Sequence, residues 1–504
     1  MIKHQVDFRD VQGILRFGYG RLTEAVFLLL NIRDISAARR WLAAAPISNA
    51  VACEAAPLTA LQVAFTSQGL LRLGISEEVW SGFSIEFRAG MSAEPGRSRI
   101  LGDVGANAPR NWTWGGPGQE PHIMIMLYAQ PGHLNEWTRV TQGEEWDIAF
   151  EALSSLSTSD MGGKEPFGFA DGLSQPTLDW DGVKHPSATE AEYSNSSCLG
   201  EFVLGYPNEY TRYTDRPMVK ENNPGSELLL PAVDAPSMRD LGKNGSYLVV
   251  RTLEQDVPGF WRFAQEIAGR DASARDALAS AMVGRMRDGT PLAGMRSEPI
   301  PGVTSATAAQ NLFTFDEDPQ GTRCPFGAHI RRANPRNADL PTPAAHGIEK
   351  ALQYVGLGKR TLQSDAKASV RFHRILRRGR EYGTPISPED AINNGESSSR
   401  GLHFMCLVAN ISRQFEFLQG AWMMSSKFDA MTDESDPLLG NRQPISGAVT
   451  DTFSRPDESG ICSRTAGVPR FTTVRGGGYF FLPSLSAIRY LASLRVGSNM
   501  SENS

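Results

Sequence analysis

The sequence predicts an α+β fold, with strands in open sheets covered on one face by helices. Three observations carry this expectation. Apolar runs of strand length recur along the chain, apolar residues at helical spacing follow several of them, and segments rich in Gly, Pro and Asn separate the two. The length, 504 residues, exceeds one ordinary compact core, so two or three units, or two halves packed together, are expected.

The elements follow in order. Ala25–Ile32 is a continuous apolar run, and Asp34 behind it is suited to cap a helix. Ile35, Ala38, Trp41, Leu42 and Ala45 then fall on one helical face. Leu61–Phe65 reads as a strand, Gln68–Leu73 as a short helix ended by Gly74, and His122–Ala129 as a third strand. Between them, residues 90–118 read as a long loop. A second set holds strands at Glu201–Tyr206, Tyr247–Leu253, Leu402–Ala409 and Tyr479–Leu482. Its helices are one long amphipathic helix from Pro258 to Met286, with Phe260, Phe263, Ile267, Leu278 and Met282 inward, and another from Ser412 to Met424. The β-α-β order suits helices on one face of a sheet. Apolar periodicity lapses near residues 157–166, where the two sets join, and the tail from Gly497 reads as frayed.

Composition is that of a soluble globular protein, 40% apolar and 21% charged, which excludes a disordered or collagen-like chain. The formal net charge of −6 gives no basic footprint for nucleic acid. The short basic runs, Arg331-Arg332 and Arg374 to Arg380, suit a small anionic ligand better than a polymer. Five cysteines, none within 50 residues of another, do not form a disulfide framework or a Cys-x-x-Cys metal site. No apolar stretch approaches the ~20 residues of a membrane span. No apolar signal segment follows the N-terminus. A cytoplasmic protein without membrane or nucleic-acid partners is expected.

Common catalytic signatures are missing: no phosphate-binding GxxxxGK[ST] loop, no G-x-S-x-G, no H-E-x-x-H, and no C-x-x-C-H. Two other segments stand out. EPFGFADGLSQP, residues 165–176, sets Asp171 between Gly168 and Gly172 beside Phe167 and Phe169. Glycines there permit tight turns and the close approach of a flat ligand, and an Asx-type turn would use the same residues. RCPFGAHIRRANPR, residues 323–336, sets His329 among Arg323, Arg331, Arg332 and Arg336. One histidine among arginines supplies what a haem needs, an axial nitrogen and cations for its propionates. A loop histidine beside a surface basic patch would look the same.

G-F-x-D-G followed by C-P-F-x-A-H-I-R-x-x-N-P-R resembles the dye-decolorizing peroxidase family of haem proteins. The resemblance extends through DVQGILRFGYGRL (10–22), LGD…NWTWGG…PHIMIMLYA (101–129), GEFVLGYPNEY (200–210), FHRILRRGREYG (372–383), RQFEFLQGAW (413–422) and TVRGGGYFFLPS (473–484). It is nearest to the longer-chain members. It implies two ferredoxin-like halves of the dimeric α+β barrel type: residues 1–165, then a haem-binding half over 166–496, with a disordered tail over 497–504. One non-covalent haem b per chain is implied, with hydrogen peroxide and small aromatic reductants or dyes as partners.

By the same resemblance His329 is the axial ligand, Asp171 the distal acid–base and Arg377 the distal cation, with Arg374 and Arg378 as alternatives for the last. Leu402 and Phe404 match the apolar pair over the distal face. Their i, i+2 spacing sets both on one face of a strand, and His403 between them departs from the family in not being apolar. Phe169, Gly172 and Arg331 are further haem contacts, Arg336 is a second candidate for a propionate, and Glu416 is a candidate acceptor for the ring N–H of His329. Trp422 and Tyr382 are candidates to relay electrons to the surface. An aspartate as base implies an acidic optimum, around pH 3–5, since an ordinary Asp titrates near 4. The alternative is a haem-handling protein that binds, or removes iron from, porphyrin with little turnover.

Overall fold

The computed structural model describes residues 6–183, 194–294, 310–337, 369–395, 398–443 and 449–494. His4, His185, His346 and the tail from Gly497 lie outside the described residues.

The first half runs β1 (Glu24–Ile32), α1 (Ile35–Ala44), β2 (Thr59–Phe65), α2 (Pro95–Leu101), β3 (Ile123–Ala129), α3 (Leu134–Gln142) and β4 (Phe150–Ser157). The second runs β5 (Ser246–Gln255), α4 (Val257–Ala268), α5 (Ala272–Val283), α6 (His329–Ala333), β6 (Leu376–Arg377), β7 (Arg380–Tyr382), β8 (Gly401–Val408), β9 (Thr472–Leu482) and α7 (Leu485–Ser493). These nine strands form one sheet in the order β6-β8-β5-β9-β2-β3-β1-β4, with β7 also on β8, and every pairing among them is antiparallel. Each half thus has the same spatial order, second, third, first and fourth strand. That is the ferredoxin-like βαββαβ arrangement, present twice.

Alternation along the strands makes two cores, one on each face. On β3, Ile123, Ile125 and Leu127 face the helices, while Met124, Met126 and Tyr128 face inward. Leu248 and Val250 of β5, Met405 and Leu407 of β8, and Phe480 of β9 join that inner core. Burial on both faces explains why these strands read as continuous apolar runs. The ends of the sheet approach each other: Ser159 N donates to Glu381 O at 2.8 Å, and the His403 ring Nε2–H donates to Ser157 O at 3.1 Å. The halves meet where β9 pairs β2 through the single register pair Phe481 and Phe65. Buried Gln12 supplements that short ladder, donating to Val63 O and Pro483 O at 2.8 Å and accepting from Val63 N at 2.9 Å.

Local chemistry sets the helix ends. Asp34 Oδ1 accepts from Ala37 N at 2.7 Å and caps α1. The single helix expected over Pro258–Met286 is two. Gly269, at φ 68°, ends α4, and Asp271 starts α5 by accepting from Ser273 N and Ala274 N. Ile267, expected inward, is 45% exposed on the last turn of α4. The strand expected over Glu201–Tyr206 is a 3-10 turn, Leu199–Glu201, with Gly205 at φ 82° behind it. Residues 90–118 hold α2 and two 3-10 turns within what read as loop. Ser412–Glu416 and Leu418–Met424 wind as π-helix. No described helix is long and apolar enough to cross a membrane.

Candidate active site

The helix-facing side of β8 and β5 forms one wall of a cavity of about 210 Å³, space on the order of fifteen waters. Leu402, Phe404 and Leu253 project from that wall. Phe415, Leu418 and Trp422 come from the π-helical segment, and Leu438 and Leu439 from the turn after it. His329, Asp171, Arg377 and Phe169 reach the same space. His403 points to the opposite face, as alternation requires, and stacks on Tyr382 with centroids 4.5 Å apart.

His329 opens α6. Its Nδ1 lies 2.9 Å from Asp436 Oδ2, so that nitrogen carries the proton and Nε2 keeps its lone pair for the cavity. The ring is 27% exposed, and that exposure is to the cavity. Asp436 is wholly buried, and its other oxygen accepts from Leu438 N and Leu439 N at 2.9 and 2.8 Å. Burial alone would lower the imidazole's pKa, but the charge and hydrogen bond of Asp436 outweigh it and raise the value. A carboxylate on the second ring nitrogen orients a ligand histidine and makes it more basic.

Glu416 is not that partner. Its Oε1 accepts from Arg97 Nε at 2.7 Å and from the Tyr479 hydroxyl at 2.8 Å. The π-helical winding turns Phe415 to the cavity and Glu416 to the opposite side.

Asp171 and Arg377 meet at 2.8 Å, Oδ1 to Nη1. Burial would push the aspartate up. The Arg377 charge and hydrogen bond, the Gly172 N–H and the His329 charge outweigh it and hold the carboxyl below its usual range. Gly172, at φ 74°, acts through that N–H and does not line the cavity. Arg377 N donates to Gln175 Oε1 at 2.9 Å. Glu165 anchors the loop, accepting from Phe167 N, Phe169 N and Gln255 Nε2, each at 3.0 Å. Burial pushes its carboxyl up to about 7.

Of the neighbouring arginines, Arg378 lies away from the cavity, while Arg374 lines it with its guanidinium turned to backbone carbonyls. Arg378 donates to Ile14 O at 2.7 Å, and Arg374 to Ser194 O at 2.6 Å and Ser196 O at 3.0 Å. Arg331 does not reach the cavity. Two residues past His329 on α6 it lies about 200° around the helix. There it donates to Cys324 O at 2.7 Å and Asp318 Oδ2 at 3.2 Å, between the rings of Phe315 and Phe326. Arg336 does line the cavity, with Arg285. Both donate to Ser174 Oγ, at 3.1 and 2.9 Å. Burial and then the Arg336 and Arg377 charges lower Arg285 to about 10. Trp422 is buried in the cavity wall and Tyr382 is half-buried.

Asp436 and Arg285 have no motif-level signal beyond turn and loop chemistry, and Glu165 and Gln175 lie inside the 165–176 segment without being singled out there. Asp436 stands before proline in TDESDPLLG, an ordinary Asx-turn sequence.

These residues fit a haem. No group of three or more His, Cys, Asp or Glu among the described residues could hold a bare metal ion. A tetrapyrrole brings four nitrogens of its own, so one basic imidazole completes the donor set. Flat apolar walls and two arginines at one edge match its remaining surface.

Fold and site together define a ferredoxin-like haem peroxidase. No family model matches the chain. It is 28% identical to dye-decolorizing peroxidase msp1 of Mycetinis scorodonius, over 97% of this chain and 88% of that protein. It is 27% identical to a dye-decolorizing peroxidase of Auricularia auricula-judae, over 95% and 86%. It is 28% identical to a multifunctional dye peroxidase of an Amycolatopsis species, over 68% and 64%. A crystal structure of the Auricularia auricula-judae DyP-type peroxidase superposes with a TM-score of 0.71 at 25% identity, covering 97% of this chain and 99% of that one. Over almost its whole length the chain is thus similar to dye-decolorizing peroxidases, a family whose members are haem-dependent.

Proposed function

We propose that the chain binds one non-covalent haem b through His329. With it, the chain would reduce hydrogen peroxide at the expense of phenols, aromatic amines or dyes, with an acidic optimum. The single observation that carries this is one cavity lined by both a carboxylate-backed imidazole and an aspartate–guanidinium pair. The haem would supply the redox centre for peroxide reduction and one-electron oxidation of the reductant.

The chain's own residues do the rest. His329 Nε2 binds the metal, and Asp436 Oδ2 fixes the ring and its tautomer. Asp171, ionised near Arg377, takes the proton from one peroxide oxygen at its carboxylate and delivers it to the other, direct or through one water. Arg377 Nη1 holds Asp171 in place and sets a fixed positive charge where negative charge develops. Leu402 and Phe404 exclude bulk water from that side. Arg336 and Arg285 receive the propionates.

The test is haemin reconstitution with steady-state oxidation of a chromogenic reductant. The wild type is expected to show a strong Soret band that His329→Ala loses. Asp171→Asn together with Arg377→Leu should keep the band and lose turnover. Rates no higher than free haemin, or rates that survive the double substitution, would remove the proposal.

A further inference from the structure

Tyr479 and Glu416 have no part in the mechanism above, and their arrangement is chemically distinctive. Tyr479 is buried on β9, and its hydroxyl donates to Glu416 Oε1 at 2.8 Å. Among the described residues it is the tyrosine whose hydroxyl donates to a carboxylate; Tyr206 donates to the amide oxygen of Asn244, and Tyr247 accepts from Ser84 N. Arg97 Nε lies 2.7 Å from the same Glu416 oxygen, so a single carboxylate oxygen meets both the phenol O–H and a guanidinium. Burial and the Glu416 charge raise the phenol's pKa well above its usual value, so Tyr479 is un-ionised at rest.

Placement gives the pair two exits. On one side, the Phe415 ring is 6.3 Å from Tyr479 and 6.3 Å from Phe404, and both phenylalanines line the cavity. On the other, Glu416 reaches the floor of a solvent-open groove of about 710 Å³, beside Phe417 and Gly420. An electron has a short path to the cavity, and a proton has a carboxylate that opens toward water.

We propose that Tyr479 is a redox-active residue of this peroxidase and that Glu416 is its proton acceptor. The inference rests on the peroxidase reading, with hydrogen peroxide as the oxidant. Peroxide takes two electrons and two protons to become two waters. Tyr479 supplies one of those electrons toward the cavity and an aromatic reductant the other, the two protons come from solvent, and the Tyr479 O–H proton passes to Glu416 Oε1. A neutral phenoxyl and a neutral Glu416 remain. An aromatic reductant then returns one electron, Glu416 returns the proton, and the phenol is restored.

The experiment is freeze-quench electron paramagnetic resonance of the haem-reconstituted protein, mixed with hydrogen peroxide without reductant. The wild type should give a tyrosyl signal, identified by its collapse on ring deuteration, and Tyr479→Phe should lose most of it. Glu416→Gln keeps the packing but cannot accept the proton, and should lower the signal on the order of tenfold, the worth of a hydrogen bond to a charged group. It also covers the case in which Tyr479→Phe fails to fold. With the Soret band and peroxide consumption intact, an absent wild-type signal or one unmoved by the substitutions overturns the inference. Loss of the Soret band or of peroxide consumption in the wild type overturns the peroxidase reading instead, and this inference with it.

Discussion

In the proposed mechanism Asp171 is the residue on which pH dependence turns. It must be ionised to accept a proton, and the fold holds its carboxyl below the ordinary value of about 3.9. Activity therefore persists into acid and falls only as the pH drops through that lowered value. Arg377 leads the groups that together outweigh burial, so weakening the pair must move the acid limb to higher pH. Arg377→Lys keeps a charge but loses the guanidinium geometry. It is expected to shift the acid limb of kcat/KM for peroxide upward as well as lowering its plateau. A lowered plateau with an unmoved limb would show that Arg377 does not set the ionisation of Asp171. His329 and Asp171 stand out in the sequence within short segments punctuated by Gly and Pro, whereas Arg377 is singled out only by the family resemblance, with Arg374 and Arg378 left open beside it. Asp436 does not stand out. It stands 107 residues from its partner in an ordinary turn, and only the folded chain brings Oδ2 to the imidazole.

The short helix α6 shows why spacing along an element decides a residue's role. His329 and Arg331 are neighbours in sequence, but a step of two along a helix turns a side chain through about 200°. The guanidinium of Arg331 is consumed by Asp318, Cys324 and two phenylalanine rings, whereas Arg336, beyond the helix at φ 55°, comes back to the cavity. The two arginines therefore separate by experiment. Arg331→Leu strands a buried carboxylate and should cost about 3–5 kcal/mol in urea unfolding, with haem affinity in the folded fraction little changed. Arg336→Leu should weaken haemin binding, read by titration of the Soret band. The reverse pattern would return Arg331 to the cofactor. Strands were the better-read elements, since burial on both faces leaves continuous apolar runs. The helices α4 and α5 fused in the reading because both are apolar on the core side. Their boundary rests on two small local signals, Gly269 and the capping Asp271.

At the scale of the whole molecule, the question is how two halves with one strand order behave as one body. The ladder between them is short, a single register pair of Phe481 with Phe65, and Gln12 lies across the seam. Its carboxamide satisfies three backbone groups, Val63 N, Val63 O and Pro483 O, from a side chain with no exposure to water. Sequence reading does not find this device, because a lone glutamine in DVQGIL carries no pattern and its partners lie 51 and 471 residues away. Gln12→Leu keeps the volume but leaves the three groups unpaired, each costing about 1–3 kcal/mol where water cannot enter. The inner core runs through both halves, with Phe27, Met126, Val250, Met405 and Phe480 in one cluster, so the loss cannot stay local. Hydrogen exchange measured by mass spectrometry should show protection falling together in β1 and β3 of the first half and in β5 and β8 of the second. A drop confined to β2 and the end of β9, with the other strands unchanged, would mean that the seam is a local contact and the halves hold their stability separately.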